Sequence, residues 1–126
     1  MTSVTQRTIL LVDHGSRREE ANAQLERVAE ALRACTDAEV RTAHLELAAP
    51  GIGEAIDACA QAGVGEVVVV PWFLSPGRHT TVDIPEQLRE AGARHPTLRL
   101  RLAEPLGLDA KMLDVLLARA AGARDL

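Results

Sequence analysis

Thr8–Val12 and Val67–Val70 are unbroken apolar runs, as expected of strands covered on both faces, and the first strand ends at Asp13. Glu39–Leu45 reads as a further strand between them, and Leu98–Leu102 alternates as a fourth. The intervening stretches change period. Ala21, Leu25, Val28, Ala29 and Leu32 line one face of a helix from about Arg17 to Cys35, with Ser16 and Glu19 at the spacing of a capping box. Pro50 and Gly51 break the chain before a second amphipathic helix marked by Ile52, Ala55, Ile56, Cys59 and Ala60, which Gly63 stops. Asp83 is placed to cap a third helix, with Pro85 in its first turn, Glu86 at N3, and Leu88 and Ala91 toward the core. His95 and Pro96 punctuate the chain, and Met112, Leu113, Leu116, Leu117 and Ala120 form the apolar stripe of a last helix.

The order βαβαβαβα predicts an α/β fold, a single domain over residues 1–126 with a four-stranded parallel sheet flanked by helices. The C-terminal ends of all four strands then lie along one edge, where open α/β sheets hold their ligands. That edge should collect His14 and Ser16 after the first strand, His44 and Glu46 at the second, the loop Trp72–His79 after the third, and Glu104 after the fourth. With only four strands and no second lobe to close a cleft, a second copy of the chain is expected to complete the site.

Composition narrows the function. At 126 residues and 47% apolar content the chain has enough for one real core. No stretch approaches the roughly 20 apolar residues of a membrane span, and Met1–Arg7 lacks the regions of a secretory signal, so a cytoplasmic protein is expected. A net charge of −4 with interspersed signs argues against nucleic acid, and Trp72 and Phe73, the only aromatic residues, make no stacking platform. Cys35 and Cys59 fall within expected helices at no ligand spacing and read as buried or idle thiols.

The chemistry concentrates on two imidazoles. His14 and His79 are far apart in sequence yet predicted at one sheet edge, and neutral imidazole is the commonest protein ligand for borderline divalent metals. Two such ligands leave most of a coordination sphere open, which suits an ion held briefly and handed on, and the same ring can accept a proton. His44 alternates along its strand toward a helix layer, and His95 precedes a proline at the opposite edge. Glu46 either leaves the core at a strand end or meets a polar partner there. Arg17, Arg18 and above all Arg78, in a loop constrained by Pro76 and Gly77, can meet anionic groups. Trp72 and Phe73 suggest an apolar wall for a flat ligand, with core packing the competing use. Neither Ser16 nor Ser75 sits in a nucleophile elbow, which sets serine hydrolases aside.

The segments LLVDHGSRREEAN (Leu10–Asn22), HLELAAPGIGEAI (His44–Ile56) and VVVVPWFLSPGRHTTVDIP (Val67–Pro85) closely resemble the CbiX/SirB sirohydrochlorin chelatases, the third segment being the most specific. The resemblance covers nearly the whole chain, in the short, single-domain form of the family. It implies a chelatase-like domain that inserts cobalt or iron, in some members nickel, into sirohydrochlorin in cobalamin or siroheme biosynthesis. It implies no ATP and no cofactor beyond the divalent metal substrate.

By position, the resemblance makes His14 a metal ligand and proton acceptor, His79 the second metal ligand and Glu46 a substrate-contacting acid. Leu74, Ser75, Pro76, Gly77 and Arg78 would line the macrocycle, with His79 at the end of that block. A homodimer is implied, since many relatives carry two such domains in one chain. Two other classes compete. A non-catalytic tetrapyrrole or metal carrier would keep the fold and both histidines, and a histidine phosphatase using His14 is disfavoured by Asp13 where that chemistry wants an arginine.

Overall fold

The computed structural model describes residues 7–126. It contains strands β1 (Arg7–Asp13), β2 (Glu39–His44), β3 (Glu66–Pro71) and β4 (Arg99–Leu102), and helices α1 (Glu19–Arg33), α2 (Ile52–Gln61), α3 (Ile84–Arg94) and α4 (Ala110–Ala121). The strands form one sheet in the order β2-β1-β3-β4, and every neighbouring pair is parallel. β1 and β3 are therefore central and covered on both faces, which is why their sequences are the continuous apolar runs.

One face packs Leu10, Val12, Ala43, Val67 and Val69 against Ile52, Ile56 and Cys59 of α2 and Ile84, Leu88 and Ala91 of α3. The other packs Leu11 and Val40 against Leu25 and Ala29 of α1, with Ile9, Val28, Leu32 and Val70 beside them. Fully burying a Leu or Ile contributes roughly 1.5–3 kcal/mol over leaving it in water, so Leu10, Leu25, Ile52, Ile56 and Ile84 anchor the fold. α2 ends as its sequence requires, with Gly63 in the left-handed region at φ 81°.

Several local expectations change. α1 begins at Glu19, and Ser16 and Glu19 form no capping box: the Ser16 amide donates to Asn22 Oδ1 at 2.9 Å, and Asn22 Nδ2 donates to the Ser16 carbonyl at 2.8 Å. Ala21 faces solvent, and Cys35 lies exposed in the turn after α1, while Cys59 is buried in α2 with its thiol pushed up by desolvation. Asp83 makes no capping bond to α3. A π-helical turn, His79–Asp83, precedes that helix, closed by the Ile84 amide donating to the His79 carbonyl. α4 forms where its stripe predicts and is capped by Asp109, yet it has no buried residue: Leu116 and Leu117 are 64% and 70% exposed.

Candidate functional site

Parallel pairing sets the distances. β1 and β2 end in register at Asp13 and His44, and the ladder runs on through the Leu45 amide to the Asp13 carbonyl and the Glu46 amide to the His14 carbonyl. Glu46 is thereby locked beside His14, and its Oε1 lies 2.9 Å from His14 Nε2. Gly15 makes this approach possible. Its φ is 92°, and a Cβ there would lie 1.8 Å from the Glu46 carbonyl oxygen. After Glu46 the chain turns through Leu47, held at φ 70°, and comes back so that the Pro50 carbonyl accepts from the His44 amide at 2.9 Å. A leucine in the left-handed region is strained, and such strain concentrates at functional loops.

β3 carries the other half. Beyond Pro71 the amides of Thr80 and Thr81 converge on the Gly77 carbonyl, and the Thr80 hydroxyl accepts from the Gly77 amide at 2.9 Å. This lock presents His79 to His14 with ring centroids 4.7 Å apart, edge to face. His79 Nδ1 donates to Asp83 Oδ2 at 2.9 Å, and His14 Nδ1 donates to the Gly15 carbonyl at 3.0 Å. Each ring thus spends Nδ1 on an oxygen of its own loop; Nε2 is the remaining ligand or proton-accepting atom, facing Glu46 Oε1 in His14.

His14, Glu46 and His79 are half-exposed, so the cluster opens to solvent. Among the described residues no group of three or more His, Cys, Asp or Glu side chains is arranged to hold a metal ion. Two hollows adjoin the pair. One, of about 270 Å³, is lined by Leu45, Glu46, Asp83, Glu86 and Gln87; the other, of about 300 Å³, by Trp72, Phe73, Leu74, Leu106 and Met112. The Phe73 ring stands 6.2 Å from His79 while also packing on the core.

The remaining candidates separate cleanly. Leu74, Ser75, Pro76, Gly77 and Arg78 are exposed in the loop that leads from β3 to His79, and Arg17 and Arg18 are exposed where β1 leads into α1. His44 is buried against the sheet with Nδ1 bonded to Asp13 Oδ1, and Glu104 is exposed beyond β4. His95 joins Asp57 at 2.6 Å, tying α3 to α2, and together with Arg94 it holds the Asp57 carboxyl below its ordinary range. The sequence pattern assigns Asp83 to helix capping and so misses its bond to His79. Only the four-residue spacing to His79 points to it.

A family model described as CbiX matches residues 8–123. The chloroplastic sirohydrochlorin ferrochelatase of Arabidopsis thaliana is 42% identical over 108 residues, which are 85% of this chain and 48% of that protein. The chain therefore spans about half the length of this relative. The sirohydrochlorin cobaltochelatase of Methanopyrus kandleri is 31% identical over 88% of this chain and 92% of its own length. Among solved structures, the sirohydrochlorin chelatase SirB of Bacillus subtilis subspecies spizizenii in complex with cobalt superposes with a TM-score of 0.87 at 30% identity, covering 93% of this chain and 50% of that one. With the matched model extending from β1 through α4 and the sheet superposing on a cobalt-bound relative, the chain belongs to the CbiX/SirB family.

Proposed function

We propose that this chain inserts a divalent metal, cobalt or iron or nickel, into sirohydrochlorin in cobalamin or siroheme synthesis. The observation that carries the reading is the approach of His14 and His79 across the edge of a CbiX-type sheet, with Glu46 against His14. His14 serves as metal ligand and proton acceptor, and His79 as the second metal ligand.

Insertion exchanges one M²⁺ for two pyrrole N–H protons, so the site must hold an incompletely coordinated ion and take up protons. As the ion passes to the pyrrole nitrogens, the freed His14 Nε2 lone pair takes one proton and Glu46 Oε1, at hydrogen-bond distance, takes the other, both then leaving to solvent. Leu74, Ser75, Pro76, Gly77 and Arg78 contact the macrocycle around His79, with Glu46 on the facing side. Arg78 and Arg17 meet the carboxylate arms of the substrate, which lets an acidic protein hold a polyanion. No cofactor beyond the metal substrate enters this scheme.

Neither hollow is large enough to enclose a tetrapyrrole, and α4 carries an uncovered apolar stripe. Both features support a homodimer of single-domain chains whose sites face each other. We place the enzyme in the cytoplasm on its sequence. No described helix is long and apolar enough to cross a membrane.

The test follows the absorbance of sirohydrochlorin with Co²⁺ or Fe²⁺ under anaerobic conditions, for wild type, His14→Ala and His79→Ala. Acceleration by wild type that is abolished in both variants is the expected result. Tetrapyrrole binding without acceleration, for every metal offered, would replace the enzyme by a carrier.

A further inference from the structure

We infer that Asp83 is a positioning residue for His79: it fixes the ring as the Nδ1–H tautomer and aims Nε2 at the metal, an inference that rests on reading His79 as a metal ligand. Three observations converge on it. The π-helical turn runs directly into α3 with Asp83 itself in the right-handed helical region at φ −67° and ψ −47°, so there is no helix start for its side chain to cap and it makes no bond to the first turn of α3. Its carboxylate goes instead to His79 Nδ1, at 2.9 Å, and that ring is the one 4.7 Å from His14. The pair spans the π-helical turn, a winding that is rare and frequent at functional sites, and the turn is held at its start by the Thr80–Gly77 hydrogen bonds.

A neutral imidazole carries one proton, so a carboxylate accepting from Nδ1 leaves the lone pair on Nε2. His79 Nε2 has no hydrogen-bond partner among the described residues. The carboxylate also holds the ring plane, and removing such a partner typically weakens metal binding by about 10–100-fold. An exposed His–Asp pair of purely structural use would make a small contribution to folding and leave the tautomer of no consequence.

The experiment uses the intact chain with Co²⁺ alone, titrated into wild type, His79→Ala, Asp83→Ala and Asp83→Asn. Long-range ¹H–¹⁵N NMR of the metal-free proteins, at a pH where the ring is neutral, reads the His79 tautomer. Wild type should show Nδ1–H, and Asp83→Ala should shift toward Nε2–H with Co²⁺ affinity down about 10–100-fold. Asp83→Asn, which keeps shape and an acceptor oxygen without the charge, should show a smaller decrease and decides the matter if the alanine variant fails to fold. Wild-type affinity in the Asp83 variants beside abolished affinity in His79→Ala overturns the inference alone. Wild-type affinity in His79→Ala overturns the ligand reading of His79, and the inference with it.

Discussion

Gly15 shows how much of the site hangs on one residue. Its left-handed backbone and the 1.8 Å that a Cβ would leave to the Glu46 carbonyl mean that Gly15→Ala must push the two loops apart. The expected cost is about 2 kcal/mol or more in urea unfolding, and Glu46 should move out of reach of His14. A variant as stable as wild type would show that the loops separate freely. His14, Glu46 and His79 are legible in the sequence because strand ends in a parallel sheet are forced to one edge. Their hydrogen-bond partners are less so: Asn22 displaces Glu19 at Ser16, a choice made by loop geometry, and Asp83 bonds to His79 with only their four-residue spacing to announce it.

At the level of elements, the strand starts form an edge quite unlike the strand ends. Glu66, at the start of β3, is 7% exposed beneath Arg7, Arg101 and Arg99, and the Arg7 hydrogen bond, with lesser help from the other two, holds its carboxyl below the ordinary glutamate range. Glu39, which opens β2, is lowered likewise, mainly by its bond to Arg41 and then by Thr8. Since the unfolded chain binds these protons more readily, their stabilisation is complete above the unfolded glutamate value of about 4.3 and disappears as pH falls through the lower folded values. Glu66→Gln should therefore lower the melting temperature at pH 7 and flatten its decline between about pH 5 and pH 3. Parallel curves for the two proteins would remove Glu66 from the acid response. Element types and order are readable from periodicity, because period reports which face is apolar. What covers that face is a tertiary fact, which is why α4 is foreseen as a helix and its exposure is not. The π-helical turn has no propensity signature of its own, and the sequence shows only a cap in its place.

For the molecule as a whole, the unburied α4 and the open site bear on self-association. Leu116→Lys changes a side chain that is 64% exposed and retains helix propensity, so folding should be unaffected while the proposed homodimer dissociates. Sedimentation equilibrium distinguishes the outcomes: a dimeric wild type and a monomeric variant are expected, and a wild type that is monomeric at assay concentration defeats the homodimer. The sheet itself discourages another kind of association. β4, at one margin, has only four residues, and two of them are the exposed Arg99 and Arg101. β2, at the other, carries Glu39 and Arg41, and its end is bridged to Gly51. Short, charged margins are poor templates for added strands. Fibrillar stacking is thereby disfavoured, and a concentrated solution of this protein should resist amyloid-like aggregation even though an apolar helix lies on its surface.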